Sequence, residues 1–250
     1  MSEGFVSEIF SGIQGEGLLV GERQVFIRFA GCNLRCAYCD TPASQVPTES
    51  CRIEQTSGKR DFLTMKNPVT AQQIAEYALR LTHHSSLITH HPSLVLTGGE
   101  PLVQPGFVAQ AASLLKENGI RIMLETNGSL PDALADVLPF IDVVSMDIKL
   151  PSVTGGPDLL REHEQFLRKA MSKDVYVKIV VASGTSLEEL LAAAEMISSV
   201  DCRIPLVLQP VTSQSDCPSP LQVLDWQAQC LAIVERVLVI PQCHKILGQM

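Results

Sequence analysis

The chain has 250 residues, 46% of them hydrophobic and 18% charged, a balance that supports a sizeable core and excludes a largely disordered protein. A net charge of -8 argues against a phosphate-backbone binder built on clustered Lys and Arg, and no run approaches the roughly 20 apolar residues that cross a bilayer. Eight cysteines are too few for a disulfide scaffold, and Met1 to Glu8 lack the basic and apolar parts of a secretion signal, so a cytoplasmic chain with no nucleic-acid or membrane partner is expected.

In chain order, the segment Glu8 to Gly17 reads as a glycine-rich loop ahead of the first strand. Its glycines permit unusual backbone angles, and the Gln14 amide and Glu16 carboxylate suit a polar heterocycle. The strand Gln24 to Ala30 then runs into Cys32, Cys36 and Cys39. Thiolates are soft ligands that favour iron-sulfur clusters or zinc, and a cubane normally takes four of them. Three leave one iron open for another ligand. Structural zinc is the plainer alternative and needs a fourth donor such as Cys51. Cys51, Cys202, Cys217, Cys230 and Cys243 show no paired spacing and read as small buried hydrophobes.

From Thr41 to Asn67 the rhythm breaks: the stretch is polar, carries Pro42 and Pro47, and centres on Ser57, Gly58 and Lys59. It reads as a hairpin-like insertion, 41–67, within a single domain spanning 1–250. Beyond it, β-branched runs at Leu94 to Thr97, Ile120 to Thr126, Asp142 to Ile148, Val175 to Val181 and Ile204 to Gln209 predict buried parallel strands. Segments of helical period alternate with them: Ala71 to Leu81, Phe107 to Asn118, Leu159 to Met171, Leu187 to Ser198 and Leu221 to Val234. Thr70 and Ser186 are candidate helix caps and Gly119 a stop. Repeated βα units imply an α/β fold with right-handed crossovers; six strands fit a partial (β/α)6 barrel, with an open doubly wound sheet as runner-up.

Chemistry-bearing residues collect at the strand ends. Gly98 and Gly99 let backbone approach a ligand closely, and Glu100 suits an ammonium group. Glu125, Asn127, Asp147 and Lys149 also end strands, where a turn, cap or solvated charge is the plainer reading. The pairs His83-His84 and His90-His91 read as solvated; His244, in the tail, either caps a site or makes a surface hydrogen bond.

The C-x3-C-x2-C spacing, with Tyr38 before the last cysteine, resembles the signature of the radical S-adenosylmethionine superfamily, and Gly98-Gly99-Glu100 resembles its GGE motif. The resemblance implies a 4Fe-4S cluster on Cys32, Cys36 and Cys39, its open iron chelated by the methionyl amine and carboxylate of S-adenosyl-L-methionine. Gly98, Gly99 and Glu100 would bind the methionyl amine, and Glu125, Asn127, Asp147, Lys149 and Gln209 with Pro210 would line the rest of that cofactor's site.

Within the superfamily, the N-terminal loop, Val25 to Cys32, Cys39 to Thr41 and the tail Ile240 to Gly248 resemble the 7-carboxy-7-deazaguanine synthase family. That likeness implies a carbon-nitrogen lyase of queuosine and 7-deazapurine biosynthesis, which contracts the ring of 6-carboxy-5,6,7,8-tetrahydropterin to 7-carboxy-7-deazaguanine with loss of ammonia. By the same likeness Ile13, Gln14, Gly15, Glu16, Arg28 and Thr97 become substrate contacts, with the planar Arg28 fork suited to a carboxylate, and Thr41 becomes a magnesium ligand with Asp40 behind it. No side chain acts as covalent nucleophile or acid/base. The likeness further implies a homodimer and an electron donor such as flavodoxin. The rivals are a radical activase acting on a partner glycyl-radical enzyme and a non-enzymatic zinc or iron-sulfur binding module.

Overall fold

The computed structural model describes residues 2–83 and 94–248. The chain enters through β1 (Glu3–Gly4) and β2 (Val6–Ile13) and returns in β3 (Arg23–Phe29). β4 (Ser50–Glu54), β5 (Phe62–Lys66) and β6 (Val69–Thr70) precede α1 (Ala71–His83). Then come β7 (Leu94–Gly98), α2 (Pro105–Glu117), β8 (Ile122–Thr126), α3 (Pro131–Val137), β9 (Val143–Ile148), α4 (Pro151–Thr154) and α5 (Leu160–Ala170). β10 (Asp174–Val181), α6 (Leu187–Asp201), β11 (Leu206–Pro210), α7 (Pro220–Leu231), β12 (Val237–Val239) and α8 (Cys243–Ile246) complete the chain. The histidine pairs of the sequence reading lie outside the described residues, apart from the backbone of His83.

Ten strands form one sheet in the order β12-β11-β10-β9-β8-β7-β3-β2-β4-β5, and β1 pairs with β6 separately. From β3 to β12 every neighbouring pair is parallel. The parallel run therefore holds seven strands rather than six. β12 has only three residues, too few to declare a period in sequence. α3, α4 and α8, of seven, four and four residues, escaped notice for the same reason.

Period-two alternation divides each strand between two environments. One face (Ile27, Leu96, Leu124, Val144, Ile179, Leu208) joins the large core, whose helical residues come from α1, α2, α3, α5, α6 and α7. The opposite face carries a smaller belt of Phe10, Phe26, Val95, Met123, Val143, Tyr176 and Val207, to which no helix contributes. A doubly wound sheet would be covered by helices on both faces. Helices on one face and a bare inner face instead make a partial barrel, left open between the edge strands β12 and β5.

The N-terminal segment departs from its reading as a loop. Val6 to Ile13 is a strand antiparallel to β3, and only Gln14 to Glu16 lie outside regular structure before the turn at Gly17. Long-range packing decides this: Val6 and Ile9 enter the core, and Phe10 stacks on Phe26 with centroids 5.1 Å apart. The segment 41–67 holds a short turn at Pro42–Ser44 and the antiparallel pair β4 and β5, with β4 parallel to β2. Ser186 caps α6 through its hydroxyl, which accepts from Glu189 N at 3.3 Å, and Thr70 accepts from Gln73 N at 3.2 Å. Of the five cysteines read as buried, only Cys51 and Cys230 are; Cys217 is exposed, and Cys202 and Cys243 are half-buried, because none of these three sits on a core-facing position.

Candidate functional site

An open cavity of about 1270 Å³ occupies the carboxyl ends of the parallel strands. Beyond the apolar belt, the following residues on the same face of each strand supply its polar wall: Arg28 on β3, Thr97 on β7, Glu125 on β8, Ser145 and Asp147 on β9, Lys178 on β10 and Gln209 on β11. Their registry is fixed by the ladder, which pairs Arg28 with Thr97 and Asp147 with Lys178. Every sequence-predicted site residue lines this one cavity except Glu100 and Pro210.

Glu100 is fully buried behind the wall. Its carboxylate accepts from Asn127 N at 2.7 Å, Leu102 N at 3.0 Å and the Thr126 hydroxyl at 2.8 Å. These three donors let it shape the ends of β7 and β8, and Glu100, expected as an amine contact, is not among the residues that line the cavity. Gly98 and Gly99 do reach it. Gly98 has φ +133, and a β-carbon there would collide with the backbone of Phe29, so no larger residue fits where the two strands converge.

Cys32, Cys36 and Cys39 are half-buried and all face the cavity. The loop that carries them is pinned by Gly31 N to Ser44 O at 2.8 Å, Cys32 N to Gln45 O at 3.1 Å and Ala37 N to Thr154 O at 3.0 Å. Burial first, and then neighbouring acidic groups, push the Cys32 and Cys36 thiols up. Bare thiolates are therefore disfavoured there, and a bound cation would reverse the balance. Among the described residues, the only His, Cys or carboxylate trio with ligand atoms all within 4.8 Å of one another is Glu16, Asp40 and His244. At least one pair of the three sulfurs is thus more than 4.8 Å apart, wider than the roughly 4 Å separation that a tetrahedral zinc with 2.3 Å bonds imposes. Cys51 lies in the core of β4, away from them. The donor set suits a larger cluster with one open metal.

Beside the cysteines stands a connected set of charges. Lys149 Nζ lies 2.9 Å from Asp147 Oδ2 and 3.1 Å from the Tyr38 hydroxyl. Lys178 Nζ lies 3.2 Å from Asp147 Oδ2 and also pairs with Glu16. Burial alone would raise Asp147, yet the two ammoniums hold it below its usual value; burial would lower Lys149, yet Asp147 holds it well above. Burial pushes Glu125 up, with Glu16 adding to the effect. Asp147 Oδ1 and Gln209 Oε1 are buried with no hydrogen-bond partner among the described residues. Both residues line the cavity, so a bound ligand rich in N–H and O–H donors, as the ammonium, ribose and adenine of adenosylmethionine are, would meet their side chains there.

At the other end, Gln14 donates to Glu125 Oε1 at 2.8 Å and to Gln24 Oε1 at 3.1 Å. Glu16 accepts from Gln242 at 2.9 Å. Arg28 pairs with Glu8 at 2.9 Å over the Phe10 ring. His244 lies on the cavity wall with Nε2 3.8 Å from Asp40 Oδ2, which favours the site over a surface role. Burial raises Asp40, but His244, Lys245 and Lys178 outweigh it and hold the carboxyl well below its usual range. Because Lys178, Lys245 and Gln242 already serve Glu16 and Asp40, the trio with His244 is not a free cation cage. Thr41 lines the cavity, and its side chain does not cap the turn that follows.

The sequence matches the family model of the radical SAM superfamily over residues 26–197. It is 44% identical over 98% of its length, and 97% of the relative's, to 7-carboxy-7-deazaguanine synthase of Geobacter sulfurreducens. The chain belongs to the 7-carboxy-7-deazaguanine synthase family of radical SAM proteins. The synthase of Methanopyrus kandleri is 37% identical over 96% of this chain and 92% of its own. Among solved structures, QueE from Escherichia coli superimposes with a TM-score of 0.61 at 21% identity, covering 97% of this chain and 95% of that one, which supports the fold. Radical SAM membership brings a 4Fe-4S cluster and S-adenosylmethionine, and the thiol spacing and orphaned acceptors fit both.

Lys178, Gln242 and Lys245 were missed in sequence. Lys178 left one signal: a lysine inside the otherwise apolar run Val175 to Val181, on the same alternate positions as Tyr176 and Val180. Gln242 and Lys245 left none, because the tail reaches the site only through the fold.

Proposed function

We propose that this chain contracts 6-carboxy-5,6,7,8-tetrahydropterin to 7-carboxy-7-deazaguanine with loss of ammonia, in the cytoplasmic route to queuosine and related 7-deazapurines. Near-full-length identity to proteins named for that product supports the reading. The observation that carries it is a single cavity lined by the Cys32, Cys36 and Cys39 loop, the Gln14 to Glu16 turn and Arg28. A radical activase would have no need of that second, polar end.

Cys32, Cys36 and Cys39 would hold three irons of the cluster, leaving the fourth for the amine and carboxylate of adenosylmethionine. When bound, the pair supplies a carbon-centred radical able to remove one hydrogen atom from the substrate. Gly98, Gly99, Glu125, Asn127, Asp147, Lys149 and Gln209 form the wall assigned to adenosylmethionine. Ile13, Gln14, Gly15, Glu16 and Thr97 line the part assigned to the pterin, and Arg28 offers two parallel N–H groups to its carboxylate. Thr41 is the proposed protein ligand to magnesium, a hard cation that keeps several waters. The apolar belt of Phe10, Phe26 and Met123 on the inner face keeps water out beneath the site. Homodimerisation, a flavodoxin-type electron donor and a single domain, 1–250, with 41–67 inserted complete the reading.

Anaerobic turnover by reduced, cluster-loaded protein, with and without magnesium, tests the assignment. Formation of 7-carboxy-7-deazaguanine is expected, faster with the metal; none in either case refutes it. In Cys36→Ala the visible iron-sulfur absorption should vanish.

A further inference from the structure

One set of side chains runs unbroken from the substrate turn to the cluster loop. Glu16, on the turn after Gln14 and Gly15, pairs with Lys178 Nζ. Lys178 lies 3.2 Å from Asp147 Oδ2, which Lys149 also meets at 2.9 Å, and Lys149 reaches the Tyr38 hydroxyl at 3.1 Å beside Cys39. Charges alternate along this path. The side chains of Lys178, Asp147 and Lys149 are 11%, 13% and 13% exposed, so water screens the contacts weakly. Among the described residues, Lys178 is the only cation that pairs with both Glu16 and Asp147.

Resting on the substrate reading above, we propose that Lys178 is a positioning residue that couples the pterin end of the cavity to the adenosylmethionine end, so that each ligand tightens the binding of the other. Asp147, which lines the cavity at the adenosylmethionine end, is the input. A donor arriving there fixes the Asp147 carboxylate, whose other oxygen then holds Lys178. Lys178 holds Glu16, and the Glu16 backbone N–H is itself bonded to Gln14 Oε1 at 3.1 Å. Ordering of one end thereby lowers the entropic cost of ordering the other. Burial alone would depress the Lys178 ammonium, but Asp147, Glu16 and Glu125 hold it well above the ordinary lysine value, so the cation stays in place at every working pH. The coupling is reciprocal, as linkage requires.

The test measures adenosylmethionine affinity of anaerobic, cluster-loaded, unreduced protein with and without the carboxytetrahydropterin. About tenfold tightening is expected for the wild type, within the usual range of coupling energies. In Lys178→Met both ligands should still bind but the ratio should fall to near one, with partial recovery in Lys178→Arg. A purely structural lysine would lower the unfolding temperature and leave the ratio unchanged, which overturns the proposal, as does a ratio near one in the wild type. If Lys178→Met does not fold, Lys178→Gln, which keeps a polar side chain without the charge, must also show no coupling. A wild type that shows the ratio yet forms no 7-carboxy-7-deazaguanine defeats the substrate reading and leaves the coupling standing. Product formation with independent binding defeats the coupling alone, and failure to bind the pterin defeats both.

Discussion

Asn127 donates from Nδ2 to Asn33 Oδ1 at 3.0 Å, and Asn33 donates onward to the Ser129 hydroxyl at 2.8 Å, so the loop between Cys32 and Cys36 is fastened to the end of β8. Each such bond contributes on the order of 1 kcal/mol net. Asn33→Ala should loosen the loop without unfolding the barrel. The expected result is faster bleaching of the iron-sulfur absorption by a chelator, with unchanged far-ultraviolet circular dichroism; an unaltered bleaching rate rejects the fastening.

Glu100 gives a sharper contrast. In Glu100→Gln the new amide nitrogen would face a backbone or hydroxyl donor that now points at a carboxylate oxygen, at a cost of about 2 kcal/mol or more in this fully buried position. Chemical denaturation should show the loss. A variant of native stability whose adenosylmethionine affinity alone collapses would return Glu100 to the ligand's surface.

His163 is 1% exposed with Nε2 3.1 Å from Asn127 O, and burial lowers its pKa from the ordinary 6.5 to about 4. Between those values the unfolded chain binds a proton that the folded chain does not. Stability therefore falls as pH drops through that window, by up to about 3 kcal/mol. Denaturant midpoints at pH 7 and pH 4.5 should converge in His163→Gln relative to wild type, and an equal slope in both proteins would show that another group governs the acid limb.

Gly15 lies against His244, and its carbonyl accepts from Cys243 N at 2.9 Å. A β-carbon there would press on His244 side-chain and backbone atoms, so Gly15→Ala has to displace α8 from the turn. Displacements of this size commonly cost an order of magnitude or more in productive binding. We expect KM for the pterin to rise about tenfold while adenosylmethionine affinity, measured without pterin, is unchanged. A change confined to adenosylmethionine would place the turn at the other end of the cavity.

The cysteine loop, the glycines that end β7 and the βα rhythm were legible because each is local: spacing sets ligand geometry, and apolar runs bounded by helical segments set strand and helix. The amino-acid order alone thus determined three thiols at the end of a strand and a parallel α/β frame. It did not distinguish Val6 to Ile13 from a loop, since glycines and polar residues obscure a strand whose partners lie elsewhere in the chain. Nor did it separate Glu100, which accepts from three donors behind the wall, from Asp147, which lines the cavity and has one oxygen unpartnered among the described residues. Both are acids at strand ends, and only the neighbours that arrive through tertiary packing decide which is scaffold and which is free to bind. Lys178, Gln242 and His244 come to Glu16 and Asp40 across more than 150 residues, a meeting that no local pattern encodes.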